Sequence, residues 1–261
     1  MFSDERRDQI LALLERNGRV LVKELADQFG MSIDSIRRDL TMMEQKGLLK
    51  RTHGGAIPAV SVRQAPLPPD RRYGEAVPHQ DAISKLAATF IRERDTVFLG
   101  SAGIQFGMLK HLPLFPFTVI TNATAVANVL KDRDNVDVYL LGGLVKRSGS
   151  ITDALAQAFL RQFTIDTCFV TGGGISPNGI SLATPEVAAL SRTAVEISRQ
   201  RICLAPHEKL GVDQFVMEGP ITDMDVLITD EEASMDAVEA IQNKGVRVLI
   251  AKPGETRTAS D

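Results

Sequence analysis

The chain has no tryptophan and only two cysteines, and aromatic residues make up just 5% of its 261 positions. Hydrophobic residues at 44% and charged residues at 24% are nevertheless ordinary for a folded globular protein and exclude a disordered chain. No stretch approaches the roughly 18 to 20 apolar residues of a membrane span, and "MFSDERRDQI" is charged where a signal peptide needs an apolar run. A cytoplasmic protein without a membrane partner is expected. Cys168 in "DTCFV" and Cys203 in "RICLA" sit in apolar runs that read as buried strands, so free core thiols in a reducing compartment are expected. His53, His79, His111 and His207 are scattered, with no second histidine or cysteine at zinc-ligand spacing, and neither a metal nor a cofactor is expected. There is no "GK[ST]" phosphate loop, and "TGGGISPNG" lacks the spacing and the following helix of a dinucleotide fingerprint. What remains is a chain longer than one core usually holds, which predicts two domains.

A formal net charge of −3 argues against a nucleic-acid binder, but the average hides a local excess. Between Arg37 and Arg51 five cations (Arg37, Arg38, Lys46, Lys50, Arg51) face two acids (Asp39, Glu44), so this segment carries a net +3. Its surroundings give that charge a use. "DERRDQILALLERNG" spaces Ile10, Leu13 and Leu14 as one helix face and stops at a glycine. "VLVKELADQFG" repeats the pattern with Val22, Leu25, Ala26 and Phe29 over two turns, closed by Gly30. Ser32 then stands where it would cap a third helix from Ile33 to about Lys46, with Gly47 as its stop. A short helix, a tight turn and a capped helix make a helix-turn-helix.

Turning the third helix by about 100° per residue gathers Ile33, Ile36, Leu40 and Met43 on one buried stripe. Arg38 lies roughly 200° from Ile36 and points outward with Asp34, Thr41 and Gln45, Ser35 beside them, on the face that enters the major groove in this motif. Its guanidinium suits the O6 and N7 acceptors of guanine, whereas Arg37, on the flank, suits a phosphate or an ion pair within the helix bundle. Asp34 reads as a first-turn acid complementing the helix dipole. Beyond Gly47, "LLKRTHGGAI" has a short strand, a Gly54-Gly55 turn and a return strand, a hairpin wing whose Lys50, Arg51 and His53 would contact phosphates. The expected DNA-binding set is Ser32, Ser35, Arg37, Arg38, Thr41, Lys50, Arg51 and His53, on a winged helix-turn-helix spanning residues 1–58.

The segment "RRDQILALLERNGRVLVKELADQFGMSIDSIRRDLTMMEQKGLLKRTHGGA" resembles the N-terminal winged helix of the DeoR family of bacterial transcriptional regulators, with "SIRRDL", "GLLKRTHGG" and the segment lengths agreeing together. Five of the chain's twelve prolines fall between Pro58 and Pro78, so residues 59–80 read as a linker. In residues 81–252 the apolar runs "TVFLG", "FTVIT", "VDVYLLGG", "TCFVTGGG", "RICLAP", "DVLITD" and "VRVLIA" alternate with helices near 124–132, 154–163, 184–198 and 233–244. That is an α/β fold with a mainly parallel sheet covered on both faces, followed by a tail at 253–261. The strands end in small or polar residues, among them Gly100-Ser101, Thr121-Asn122, Gly142-Gly143 and Gly172-Gly173-Gly174, and open α/β sheets bind ligands at such carboxyl ends.

This larger domain is similar to the DeoR sensor domain, which is related in fold to ribose-5-phosphate isomerase, glucosamine-6-phosphate deaminase and CoA transferases. The resemblance implies an effector pocket for a phosphorylated sugar or related small anion involving Thr121, Asn122, Gly142, Gly143, Gly174, Glu186 and Lys209, with Ser101 and Lys146 completing the expected set. Three departures bear on the effector. Where the family has an aspartate and a Gly-Thr-Thr-like loop after the first strand, this chain reads "LGSAGIQFG", without the hydroxyls at Ile104 and Gln105. Pro206, His207 and Glu208 replace Asp-Ser/His-Ser before the lysine, and Asp153 replaces a usual glycine.

Three functions are compatible with these residues: a repressor of carbohydrate-metabolism genes released from double-stranded operator DNA by its effector, a sugar-phosphate-isomerase-like enzyme with a DNA-binding module, and a DNA-binding protein whose sensor has lost its ligand. The resemblance favours the first, without catalysis. An enzyme would have to draw on Glu186, Lys209, His207 and Asp230-Glu231-Glu232, the last of which reads more simply as the cap of the helix after "DVLIT". A homodimer or homotetramer is expected, because helix-turn-helix proteins bind paired half-sites.

Overall fold

The computed structural model describes residues 3–17, 20–46, 48–52, 54–58, 72–74 and 77–254. Contacts divide the chain into two compact units, Met1–Gln64 and Ala65–Asp261.

In the first unit α1 (Ser3–Asn17), α2 (Val22–Phe29) and α3 (Ile33–Gln45) surround a core in which Ile10, Ile36, Leu40 and Met43 are wholly buried and Leu14 and Leu25 nearly so. The 3.6-residue spacing of these apolar positions is the cause of the packing. Gly30 closes α2 in the left-handed conformation, φ +62°, its N–H returning to Ala26 and Asp27 carbonyls. Ser32 caps α3 by accepting the Ser35 N–H at 3.2 Å. Ile33, expected on the buried stripe, is 40% exposed, because the first turn of α3 projects beyond the core.

The wing consists of β2 (Leu49–Arg51) and β3 (Gly55–Pro58), antiparallel with Lys50 opposite Ile57. A third strand, β1 (Val20–Leu21), was not anticipated; two residues are too few for any periodicity, and only pairing with β3 makes them a strand. Here Gly55 is required by close approach, since a Cβ would fall 1.8 Å from the Val20 carbonyl oxygen.

In the second unit α4 (Pro78–Ala88) opens inside the stretch expected as linker. Pro78 is responsible: in the first turn its missing N–H costs nothing and its fixed φ suits a helix. The other elements, in chain order, are β4 (Thr96–Leu99), α5 (Gly103–Gly107), β5 (Phe117–Thr121), α6 (Thr124–Leu130), β6 (Val136–Leu140), α7 (Ala154–Leu160) and β7 (Ile165–Val170). Then come β8 (Gly174–Ser176), β9 (Gly179–Leu182), α8 (Pro185–Glu196), β10 (Ser198–Leu204), β11 (Val216–Gly219), β12 (Val226–Asp230), α9 (Met235–Gln242) and β13 (Arg247–Ala251).

Seven strands form one sheet in the order β13-β12-β10-β7-β4-β5-β6, every pair parallel. The fold class expected from the alternation is present, with cores on both faces: Val97 and Leu99 of β4 enter one cluster and Phe98 the other. Cys168 and Cys203 lie in the second core as free, fully buried thiols, and burial pushes Cys168 up to about 12, leaving it protonated and inert. The glycine-rich "GGGISPNG" is a hairpin, β8 and β9 with Ser176 opposite Gly179, extended by β11 into a small antiparallel sheet.

Candidate functional site

The outer face of α3 is built as its periodicity predicts. Arg38 is exposed, and no ion-pair or hydrogen-bond partner for it is found among the described residues. Arg37 stands 3.6 Å from Asp34 with both side chains largely in water, a pair worth little to stability and open to a phosphate. The Ser32 and Ser35 hydroxyls lie 2.9 Å apart at the helix start.

Thr41 and Arg51 were expected to face DNA separately, but the structure joins them. The Thr41 hydroxyl donates to the Arg37 carbonyl and accepts from Arg51 Nη1 at 2.7 Å, while the Arg51 amide donates to Glu44 Oε1. These bonds fix the wing strand against α3, so both side chains serve the geometry of the face. Lys50 points into solvent. His53 lies outside the described residues.

Sequence reasoning missed Asp39. Counted as an acid offsetting the cationic segment, it is 3% exposed and clamped by α1: Arg6 Nε donates to Oδ2 at 2.7 Å and Arg7 Nε to Oδ1 at 2.9 Å. Its charge is neutralised inside the unit, and the outer face keeps its cations. The signal was the pair "DERRD" and "IRRDL", but matching charges 32 and 33 residues apart needs the packing of α1 on α3.

At the carboxyl edge of the large sheet the structure places Ser101 after β4, Thr121 and Asn122 at the end of β5, Gly142 and Gly143 beyond β6, Lys146 in the following loop and Lys209 after β10. Thr121 is wholly buried and accepts the Ala123 N–H at 3.1 Å. Asn122 donates to the Ile151 carbonyl, and its Oδ1 is buried without a hydrogen-bond partner among the described residues. Lys209 is half-buried, Nζ 3.4 Å from Thr171 Oγ1; burial pushes its ammonium below the ordinary lysine range, with Glu208 opposing. Gly174 sits within β8, where a Cβ would fall 2.3 Å from the Val212 carbonyl oxygen, so packing already explains this glycine. Glu186 is exposed in the first turn of α8.

Two of the departures noted in the sequence satisfy backbone donors internally. Gln105, 4% exposed, accepts the Ala102 N–H at 2.9 Å and donates to the Phe169 carbonyl, filling the loop after β4. Asp153 accepts from Leu144 N at 2.7 Å and from Ala156 N at 3.0 Å, and these backbone hydrogen bonds hold its carboxyl below the usual range. Both occupy backbone donors in the loops beside the strand ends.

Two expectations are corrected. The cap after "DVLIT" is Ser234, which accepts the Ala237 N–H, and not the acid cluster. The histidines are not all scattered, because His79 and His207 meet with Glu208 and Asp230 at the same sheet edge, brought there by three elements distant in sequence. No helix among the described residues is long and apolar enough to cross a membrane.

These two units define a class: a winged helix-turn-helix protein with a parallel α/β domain carrying polar strand ends. Family models place it further, since residues 6–61 match the DeoR-like helix-turn-helix domain and residues 75–231 the DeoR C terminal sensor domain. The HTH-type transcriptional repressor GlcR of Bacillus subtilis is 30% identical over 98% of this chain and 99% of its own length. The regulator GolR of Listeria innocua is 30% identical over 97% and 100%. The lactose phosphotransferase system repressor of Staphylococcus aureus is 25% identical over 93% and 97%. Among solved structures, ribose 5-phosphate isomerase A of Methanocaldococcus jannaschii aligns at TM-score 0.35 and 8% identity, over 50% of this chain and 52% of that one, too slight a likeness to bear on function. The chain belongs to the DeoR family of transcriptional regulators.

Proposed function

We propose that this protein is a transcriptional repressor of carbohydrate-metabolism genes that leaves its operator when a phosphorylated sugar or related small anion binds at the carboxyl edge of the large sheet. The observation that carries the first half is the face of α3: Arg38 is exposed, without a partner among the described residues, on a capped helix whose opposite side, Ile36, Leu40 and Met43, is locked into the core. A rigid helix with an outward guanidinium suits guanine in a major groove. Residues 1–58 would bind DNA, 81–252 would sense the effector, and Arg37 and Lys50 would hold phosphates. Fluorescence anisotropy with duplexes selected from random sequence tests this, and absence of any preferred duplex at physiological salt would overturn it.

The effector half is supported by Lys209, which offers a cation at the strand ends where Ser101, Thr121, Asn122, Gly142, Gly143 and Lys146 also lie. Calorimetric titration with phosphorylated sugars and polyols, repeated with Lys209→Ala, tests it; binding indifferent to that substitution would move the pocket elsewhere. A second reading, a DNA-binding protein without an effector, is favoured by Gln105 and Asp153, which already satisfy the local donors. Calorimetry with no heat for any of these anions would favour it. Catalysis has less support, since relatives along the whole chain are named regulators and repressors. A homodimer is supported by the apolar surface at the sheet's edge strand: Tyr139 and Leu140 of β6 are exposed near Leu144, Val145 and Leu155.

A further inference from the structure

We propose that His79, His207, Glu208 and Asp230 form a binding site for one divalent cation of the zinc class. The proposal is independent of the DNA and effector readings. The four residues come from the first turn of α4 (His79), the single 3₁₀ turn after β10 (His207, Glu208) and the last residue of β12 (Asp230). One ligand atom from each lies within 4.8 Å of all the others. His207 Nδ1 is 2.8 Å from Asp230 Oδ1 and 3.5 Å from Glu208 Oε2, and His79 Nε2 is 3.4 Å from that same Glu208 oxygen. A tetrahedral ion with bonds of about 2.0–2.1 Å separates its ligand atoms by roughly 3.3 Å, so small side-chain rotations complete the shell.

Two further features point to a ligand. His79 Nε2 is shielded from solvent and makes no hydrogen bond among the described residues, its polar neighbour being Glu208 Oε2 at 3.4 Å. The carboxylates are also oriented from outside, as metal ligands are. Gln80 Nε2 donates to Glu208 Oε1 at 2.8 Å, leaving Oε2 facing both histidines. Asp230, wholly buried, accepts the His207 amide on Oδ2 and the Glu232 amide on Oδ1. Lys209, adjacent in the chain, interacts with Glu208 only at longer range and places its Nζ 3.4 Å from Thr171 Oγ1. Two carboxylates with two imidazoles, one acid fully out of water, match a borderline cation and not magnesium or calcium, which take all-oxygen shells. The ion would tie the start of α4 to the ends of β10 and β12.

The test uses the full chain without a histidine tag, stripped by chelator and titrated with zinc chloride, with cobalt(II) chloride as a spectroscopic stand-in. One zinc per chain is expected, with imidazole nitrogens in the zinc X-ray absorption spectrum. His79→Ala and His207→Ala should each weaken binding at least tenfold, and Gln80→Ala about ten- to a hundredfold by loosening Glu208. His111→Ala, whose imidazole pairs with Asp81 elsewhere, should leave binding unchanged. Circular dichroism establishes that each variant is folded. The proposal is overturned by sub-stoichiometric binding, by a zinc spectrum without imidazole, or by folded histidine variants that bind as the parent does.

Discussion

At the residue scale, the two adjacent arginines of "SIRRDL" have different tasks because one step along a helix turns the side chain by about 100°. Arg38→Ala should cost about 1–3 kcal/mol of operator binding and relax preference at one base pair, whereas Lys50→Ala should weaken binding evenly across sequences and lower the salt slope by roughly one. Anisotropy titrations against single-base operator variants over a salt series separate the two, and an Arg38→Ala protein with intact affinity and base preference would refute the orientation of α3. A second residue-scale effect belongs to the second unit. Burial pushes the Glu218 carboxyl up to about 8, with Ser191 and Arg192 opposing and Asp223 adding to it. The folded state therefore holds a proton that the unfolded chain releases near its ordinary 4.5, and stability is full below that pH and lost as pH rises through about 8. Urea melts at pH 5 and pH 8 should differ in this direction, by no more than about 1.4 kcal/mol per pH unit from this group, and Glu218→Gln should flatten the dependence.

At the scale of elements, helices and strands were legible wherever a hydrophobic period ran for several residues. The seven sheet strands and the helices between them stand within a few residues of where the alternation puts them. Among the elements not foreseen, β1 has two residues, and β8 and β9 are too short for alternation to mark them, while α4 opens in a stretch whose prolines read as linker. The loops at the sheet edge carry a prediction of their own. Asp153→Gly removes the carboxylate that accepts from Leu144 and Ala156 and returns those donors to the rim. A sugar phosphate that binds the parent weakly should bind this variant more tightly by calorimetry, roughly thirtyfold if each of the two released donors contributes about 1 kcal/mol. Unchanged or weaker binding would mean that Asp153 is a cap for α7 and nothing more.

At the scale of the whole molecule, control of DNA binding from a second unit is a coupling free energy and is reciprocal. If an anion weakens operator binding, operator DNA must lower anion affinity by the same factor, typically about 5- to 150-fold. Titrating the effector with and without duplex measures both sides of the cycle, and unequal factors would show that the two ligands do not share one equilibrium. By itself, the sequence determined the winged helix, the parallel α/β architecture and the outward arginine, because each rests on local periodicity, capping and spacing, and it carried the family through the resemblance of motifs such as "SIRRDL" and "GLLKRTHGG". Only the tertiary structure decided that Asp39 is consumed by α1, that Thr41 and Arg51 hold the wing, that Gln105 and Asp153 fill their own loops, and that His79 meets His207. Those contacts join residues at least 10 positions apart or occupy donors the chain does not advertise, and no local pattern encodes which distant side chains packing will bring together.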